Sequence, residues 1–319
     1  MAAGEEGGPT GAHETDSQGA DAHETDVPVV CAVIASHNRR VLTLDSLQAL
    51  QSGVHAGQAR LCAVLVDDGS RDGTAEAVES TFPWVKVVRA AGDLYWCRAM
   101  HRAVAEAQAG VTVAGRPPTH FLWLNDDTRL RPSALSTLLD TACERRAALG
   151  KPVIVVGTAA DPRTGQPSYG GGRRAARWRR TSWRLVAPAA HAQAVEVMDG
   201  NVVLLPADVI ARVGNLDAAF EHAMGDYDYA LRARRLGVPV WLAPGILADC
   251  AANPRSGGFR DPALPWRARW RAAMDRKGLP WRSWLRFTRR HTGLLWPVFF
   301  VWPYLRVLWP RLGAPRPGA

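Results

Sequence analysis

Residues 61–70 read Leu-Cys-Ala-Val-Leu-Val-Asp-Asp-Gly-Ser, an apolar run that ends in two aspartates and a glycine. A short apolar run bounded by turn residues is typical of a strand that is buried on both faces. Asp67 and Asp68 then stand at the carboxyl end of that strand, at the edge where open α/β sheets bind their ligands. The stretch therefore predicts an α/β domain with a polar site at one edge of its sheet.

Elements of the same kind continue on both sides of this stretch. An apolar run at 27–35 predicts a strand, and a helical pattern with Leu42 and Leu47 on its apolar face follows at 41–51. Downstream, the patterns predict a helix to about residue 80, a strand at 85–88, a helix at 99–109 and a strand at 120–124. This alternation of strands and helices predicts a largely parallel sheet.

Two further acidic clusters accompany these elements. Asn125, Asp126 and Asp127 directly follow the fourth strand, and Asp226 and Asp228 open a later helical segment. Carboxylates gathered at one sheet edge suit a divalent metal ion and a proton acceptor. The alternative is that the same residues only cap helices and form turns.

Taken together and in this order, the motifs resemble those of the family 2 glycosyltransferases, whose fold is called GT-A, and among them the rhamnosyltransferases. The resemblance covers residues 27–250. The matching segments are 33–39, 66–74, 124–128, 199–201, 213–217 and 225–232. It implies a Rossmann-like mixed, mainly parallel sheet flanked by helices, and an enzyme that transfers a sugar from a nucleotide donor.

The resemblance also implies a donor site and a nucleotide of UDP or dTDP type. The implied donor-binding residues are Ser36, Asn38, Asp67, Asp68, Asn125, Asp126 and Gly200. A carboxylate at position 67 or 68 can accept a hydrogen bond from a ring nitrogen or a ribose hydroxyl. The choice between these two aspartates stays open.

A metal ion is part of the same implication. Asp127 occupies the position that holds Mg2+ or Mn2+ in similar enzymes, where the cation neutralises the departing diphosphate. Many relatives supply a histidine as a further ligand, but this chain has Asp249 and Cys250 at that place. Asp249, His222 or no additional protein group are the alternatives.

Asp226 falls where family members place the base that deprotonates the acceptor hydroxyl. A single displacement of this kind inverts the sugar. Asp228 and Arg232 resemble groups that support the base, and their spacing suits an i,i+4 ion pair on a helix. Many relatives have Glu before the base, whereas this chain has Gly225.

Charge is unevenly spread along the 319 residues, whose formal net charge is +9. Residues 1–26 contain seven acidic and no basic side chains, a composition that predicts a disordered acidic tail. Residues 251–319 carry fourteen Lys or Arg against two Asp, a net +12, and predict a separate basic extension. The first thirty residues lack the basic and apolar pattern of a secretory signal. The five cysteines are scattered and odd in number, which argues against a disulfide framework or zinc cluster and fits a reducing, cytoplasmic compartment.

The basic extension interleaves tryptophan with arginine over 266–309. Rings and guanidinium groups together favour an anionic membrane surface. The apolar run at 294–305 is shorter than the about 20 residues of a spanning helix and contains prolines, so it is expected to lie in the interface. This places the protein peripherally on the inner face of the cell membrane. The alternative roles for this aromatic and basic segment are binding of single-stranded nucleic acid and ordinary helix packing. Because the membrane interpretation is preferred, no nucleic-acid partner is expected.

A second basic and aromatic patch lies at 173–184. We interpret it as a loop on the acceptor side, in which Arg177, Arg179 and Arg180 bind the phosphate of a lipid-linked acceptor. The overall prediction is an inverting transferase that acts on a cell-surface glycan or a polyprenyl-linked precursor. The alternative is a non-catalytic membrane- or nucleic-acid-binding protein. Dinucleotide and P-loop folds are disfavoured, because the sequence has neither glycine motif.

Overall fold

The computed structural model describes residues 1, 27–54, 57–176, 178–253 and 257–308. The acidic tail predicted for residues 1–26 therefore lies outside the described residues apart from Met1. Arg177 and the last part of the basic extension, from residue 309 onward, lie outside them as well.

The regular elements alternate along the chain as the sequence predicts. The strands are β1 (Val29–Ser36), β2 (Arg60–Asp67), β3 (Val85–Arg89), β4 (His120–Leu124), β5 (Arg129–Leu130), β6 (Ile154–Ala160), β7 (Pro167–Tyr169), β8 (Gly171–Arg174), β9 (Trp183–Leu185), β10 (Gln193–Val195), β11 (Val197–Met198), β12 (Val202–Pro206) and β13 (Val240–Asp249). The helices are α1 (Arg40–Ser52), α2 (Thr74–Thr81), α3 (Tyr95–Gly110), α4 (Ala134–Leu149), α5 (Ala207–Val213), α6 (Gly225–Arg235), α7 (Trp266–Met274), α8 (Trp281–His291) and α9 (Trp296–Leu308).

The main sheet has the strand order β10-β13-β6-β12-β4-β1-β2-β3, with β5 and β7 paired at its margin. Strands β1, β2, β3 and β4 are parallel, and β6 and β13 are parallel to each other. Because β12 is antiparallel to both β4 and β6, it reverses the direction only locally. Six of the eight strands on this path thus run the same way, which confirms the predicted mixed, mainly parallel sheet.

Hydrophobic side chains cover both faces of the central strands. In β1, Cys31 and Val33 join the core under α3 and α6, while Val30 and Ala32 join the core under α1 and α4. A strand covered on both faces requires apolar residues at consecutive positions, which explains the unbroken runs in the sequence.

Helix α1 differs from the prediction in the face that it buries. Leu47 is buried, but Leu42 is exposed and the hydroxyl residues Thr43 and Ser46 lie inward instead. The Ser46 hydroxyl donates a hydrogen bond of 2.7 Å to the carbonyl of Thr128. The inward face of α1 therefore holds the polar loops of the sheet edge as well as the core.

The three C-terminal helices pack against the same body. Trp284, Phe287 and Tyr304 belong to the hydrophobic core that includes strands of the main sheet. A separate small sheet has the order β11-β8-β9, and both of its strand pairs are antiparallel. Within the described residues, each helix falls short of the length and apolarity required to cross a bilayer.

Candidate active site

Arg39 joins the first strand loop to the acidic motif after β4. Its Nη1 lies 3.0 Å from Asp126 Oδ1 and 2.6 Å from Asp127 Oδ2. Burial raises the pKa of Asp126 to about 6, against the opposing effect of the Arg39 charge. Burial lowers the pKa of Arg39, but the two carboxylates outweigh it and the net shift is upward. The acidic motif is therefore held around one basic side chain.

The two aspartates after β2 have different surroundings. Asp68 accepts hydrogen bonds from the backbone amides of Gly92, Leu94 and Tyr95, so both of its oxygens anchor the following loop. Asp67 accepts a bond of 3.0 Å from the amide of Ser70 through Oδ1. Asp67 thus has the less engaged carboxylate, whereas Asp68 shapes the loop at residues 92–95.

Asn38 fastens the first loop to the second. Its backbone N–H donates to Ser70 Oγ at 2.8 Å, and its side-chain Oδ1 accepts from the backbone N–H of Arg71 at 2.7 Å. Its φ of 52° is in the left-handed region, which asparagine tolerates better than most residues. Ser36, at the end of β1, bonds Thr43 at 2.9 Å.

Trp96 connects the acidic motif after β4 to the segment before β12. Its Nε1 donates to Asn125 Oδ1 at 2.7 Å. Its ring lies against Gly200, where an added Cβ would meet ring carbons at 2.3 and 2.5 Å. Gly200 is therefore required by the close approach of the indole, and its amide donates to Asp226 Oδ2 at 3.1 Å.

Asp226 lies at the start of α6 with Asp199 as its charged neighbour. Burial, followed by the charge of Asp199, raises the pKa of Asp226 to about 7. Burial likewise raises the pKa of Asp199 to about 6. The Tyr227 hydroxyl donates to Asp199 Oδ1 at 3.2 Å and ties the two segments together. A carboxylate with a pKa near neutrality is suited to accept a proton during catalysis.

Asp228 is fully buried and lies two residues after Asp226 on the same helix. It accepts from Arg232 Nε at 2.8 Å, which is the i,i+4 pair that the spacing predicts. It also accepts from Arg290 and His291 of α8, each at 2.8 Å. Burial opposes ionisation, but the bonds from His291 and Arg232 dominate and lower the pKa of Asp228 to about 2. Asp228 therefore fixes the C-terminal helices to the helix that begins at Asp226.

The possible metal ligands are few. Asp127 is partly exposed, and the Cys250 thiol donates to its Oδ1 at 3.5 Å. Asp249 instead binds Arg131 at 2.7 Å, so the residue that adjoins Asp127 is Cys250 rather than Asp249. His222 has its pKa lowered to about 4 by burial and nearby positive charges, which include Arg39.

A hard cation bound at the acidic motif would need most of its ligands from outside the protein. Over the ranges that the structure describes, no group of three or more His, Cys, Asp or Glu side chains is placed to hold a metal ion. A single protein carboxylate suits Mg2+ or Mn2+ when donor phosphates and water complete the coordination. Asp127 meets this requirement, and Cys250 is the neighbouring group that sequence reasoning passed over.

Contacts connect the sequence-predicted residues into one series. It runs from the Asp67 loop through Asn38 and Arg39 to Asp127, and from Asn125 through Trp96 and Gly200 to Asp226. Sequence reasoning missed Arg39, Trp96 and Asp199 as members. Asp199 and Arg39 both had a signal, because each stands beside a predicted site residue in a matching segment.

A family profile described as "Glycosyl transferase family 2" matches residues 31–199, more than half of the chain and all of the first acidic motifs. The chain belongs to this family. As a glycosyltransferase, the protein is not a non-catalytic binding module, which was the alternative interpretation of its sequence.

Curated relatives of this glycosyltransferase come from two strains of Mycobacterium tuberculosis. Each is named N-acetylglucosaminyl-diphospho-decaprenol L-rhamnosyltransferase and is 27% identical over 256 residues. The match covers 75% of this chain and 80% of the relative.

Solved structures share the fold of the glycosyltransferase. A structure of GalNAc-T7 with UDP, GalNAc and Mn2+ has a TM-score of 0.54 at 13% identity and covers 89% of this chain but only 56% of that one. The mannosyltransferase PcManGT from Pyrobaculum calidifontis, with GDP-Man and Mn2+, has a TM-score of 0.51 at 14% identity and covers 89% of this chain and 74% of that one. Both confirm the predicted GT-A fold.

Proposed function

We propose that this glycosyltransferase inverts a sugar as it moves it from a UDP or dTDP donor to a lipid-linked glycan precursor. The observation that carries the proposal is the contact series from the Asp67 loop through Asp127 to Asp226. This series connects the loop that would recognise the base, the motif that would bind the diphosphate and the metal, and the residue that would accept the proton. The curated relatives, named as rhamnosyltransferases acting on a diphospho-decaprenol acceptor, support the acceptor class and a deoxyhexose donor.

Asp67 would recognise the nucleotide base, since one of its oxygens has no bond to the surrounding loop among the described residues. Asp68 would act indirectly by holding residues 92–95 in place. Asn38, Ser36, Asn125 and Gly200 would position the loops around the ribose and diphosphate. Asp126 and Arg39 would set the charge beside the diphosphate.

Asp226 would remove the proton of the acceptor hydroxyl as that oxygen attacks the anomeric carbon. One displacement with the base opposite the leaving group inverts the anomeric configuration. Asp228 and Arg232 would hold the start of α6 in position for this step. Asp127 would hold Mg2+ or Mn2+, which supplies positive charge to the departing diphosphate when it is bound.

The exposed apolar face of the C-terminal helices supports attachment to an anionic membrane surface at the cytoplasmic side. The exposed large apolar side chains there are Trp266, Trp270, Trp281, Leu294, Leu295, Val298, Val301 and Trp302. Arg267 and Arg282 stack on two of these rings, so positive charge lies beside the apolar surface. We expect sedimentation with phosphatidylglycerol vesicles, weaker sedimentation with phosphatidylcholine, and loss of both for Leu294→Asp with Leu295→Asp.

Activity is tested with UDP-, dTDP- and GDP-sugars in the presence of Mg2+ or Mn2+. We expect turnover with one donor of the first two classes and a product of inverted anomeric configuration by NMR. Asp226→Asn and Asp127→Ala should abolish turnover, whereas Asp208→Asn, which alters only a surface ion pair with Arg146, should retain it. Full activity of Asp226→Asn, or retention of configuration, would refute the mechanism.

A further inference from the structure

A basic cavity lies at the C-terminal end of α6, the helix that carries Asp226 near its N-terminus. A cavity of about 540 Å³ is lined by Arg174, Arg180, Glu196 and Arg234. A second cavity of about 240 Å³ shares two of these arginines and extends to Arg235 and His291, with Leu231 completing its wall. The larger volume falls within the range of small-ligand sites.

The charge of this cavity is poorly balanced by its own residues. The larger cavity has three arginines and one carboxylate, Glu196, a net lining charge of +2, and Arg235 of the adjoining cavity brings the total for both to +3. Glu196 is 3.4 Å from Arg174 Nε and 3.2 Å from Arg234 Nη1, so its charge is already shared between two cations. Arginine forks match phosphate oxygens in geometry as well as in charge.

One buried polar atom of the lining, Nδ1 of His291, has no hydrogen-bond partner among the described residues. Nε of Arg174 also makes no hydrogen bond, but it lies 3.4 Å from Glu196 Oε2. The other imidazole nitrogen of His291 is bonded to Asp228 Oδ1, so the ring is fixed in orientation. Buried polar groups without partners are uncommon, and a bound ligand is one of their explanations.

The neighbours of the cavity indicate how an anion would be attached. Arg180 Nη1 donates to the carbonyl of Thr292, and the chain then continues into Leu294 and Leu295, which are 98% and 57% exposed. The apolar surface assigned above to the membrane therefore begins at the wall of the basic cavity. A lipid with an anionic head group can place that group in the cavity and its hydrocarbon chain on the apolar surface.

The opposite side of the cavity leads back to the proposed base. Arg174 stacks over Trp183, and Trp183 contacts the ring of Tyr227, which follows Asp226. From Asp226 to Arg234 the helix rises about 12 Å, at about 1.5 Å per residue. One sugar joined to a diphosphate can bridge a distance of that order.

We propose that this cavity binds the diphosphate of a polyprenyl-diphosphate-linked acceptor, with the prenyl chain directed along the apolar surface and the sugar toward Asp226. The inference rests on the proposed function and names the residues that hold its acceptor. Of the arginines predicted from sequence for this role, Arg180 lines the cavity, Arg179 stacks on exposed Trp178, and Arg177 lies outside the described residues.

The test is a calorimetric titration of the full-length protein with farnesyl diphosphate, with UDP or dTDP present at saturation to occupy the donor site. Arg234→Gln and Arg180→Gln should each weaken binding about tenfold, the equivalent of about 1.4 kcal/mol. Glu196→Gln should tighten binding about threefold, because it removes the one opposing charge of the lining. Arg146→Gln, which lies in an exposed surface pair, is the matched control and should bind like the wild type.

Farnesol and inorganic diphosphate separate the two parts of the ligand. Farnesol should bind all variants with equal affinity. The affinities of the variants for inorganic diphosphate should fall in the same order as their affinities for farnesyl diphosphate. Equal affinity of all four variants for farnesyl diphosphate overturns the proposal. It is also overturned if the Arg234→Gln and Arg180→Gln losses appear only with phosphatidylglycerol vesicles, since the cavity would then bind phospholipid headgroups.

Binding and transfer fail independently, so the two proposals can be told apart. If transfer is observed but Arg234→Gln leaves the acceptor KM unchanged, the cavity assignment is wrong and the proposed function stands. If no transfer occurs but farnesyl diphosphate binding still depends on Arg234 and Glu196, the proposed function is wrong and the cavity assignment stands. Thermal unfolding of each variant confirms that it is folded, and Arg180→Gln at the exposed rim provides a change without packing loss.

Discussion

Asp199→Asn should move the pH dependence of sugar transfer to lower pH. The pKa of the proposed base Asp226 is raised from 3.8 to about 7, first by burial and then by the charge of Asp199. Because burial is the larger of the two causes that raise this pKa, neutralising Asp199 should remove the smaller of the two upward contributions. We expect a decrease of about one pH unit, which corresponds to about 1.4 kcal/mol.

The direction follows from the protonation state that catalysis needs. A base acts when it is deprotonated, so wild-type kcat/KM should rise with pH and reach half of its plateau near the Asp226 pKa of about 7. Asp199 has a pKa of about 6, so it is mostly ionised at the pH at which Asp226 loses its proton. Its negative charge therefore opposes the deprotonation of Asp226. In the variant the same rise should occur about one unit lower, because deprotonation no longer meets a neighbouring negative charge.

The measurement is the initial rate of transfer at low acceptor concentration over roughly pH 5.5 to 9, which reports the ionisation of the free enzyme. Asparagine can still accept from the amide of Gly170, as Asp199 does at 3.0 Å, so the loop should keep its position. Asp208→Asn is the control for loss of a carboxylate elsewhere on the chain. An unchanged midpoint in Asp199→Asn, with normal folding, would refute the electrostatic reasoning.

Three further changes test the supports of the site. Asp228→Ala should lower the free energy of unfolding by about 3 to 5 kcal/mol in urea titrations, since it removes the buried acceptor shared by Arg232, Arg290 and His291; a loss no larger than that of Asp208→Ala would contradict this. Gly200→Ala should reduce transfer and change tryptophan fluorescence, because the new methyl overlaps the Trp96 ring, while Gly110→Ala, which meets open space, should do neither. Asp68→Asn should cost about 1 to 3 kcal/mol and raise the donor KM, because an amide cannot accept from three backbone N–H groups; unchanged donor KM and stability would show that loop 92–95 is held by other contacts.

Sequence patterns were sufficient to locate the first four strands of the sheet, because each of these strands is a local apolar run. The fourth strand, predicted at 120–124, is found as His120–Leu124, and the run at 61–66 becomes Arg60–Asp67. Leu42 was misjudged because apolar periodicity does not register hydroxyl groups that bond to loops, as Ser46 does. Patterns of hydrophobicity therefore located the elements but not the polar contacts between them.

The members of the site that were missed depend on partners distant in the chain. Arg39 is 87 residues from Asp126 and Trp96 is 29 from Asn125, and neither residue type is unusual where it stands. Cys250 was noted only as standing beside Asp249 where many relatives have a histidine, yet it is Cys250 whose thiol contacts Asp127. Contacts of this kind become visible only when the sheet brings the loop ends together.

The basic extension illustrates the same limit and leads to a stronger conclusion. By composition, residues 251–319 suggested a membrane anchor distinct from the catalytic body. In the structure, Arg290 and His291 bind the buried carboxylate of Asp228, and Arg286 binds Asp217 at 2.7 Å. Separating α8 from α6 would break the bonds that Arg290 and His291 make with the fully buried carboxylate of Asp228, at a cost of several kcal/mol. The exposed apolar face of the extension is thus fixed in orientation relative to Asp226, so attachment to a membrane through that face would set the position of the base above the bilayer.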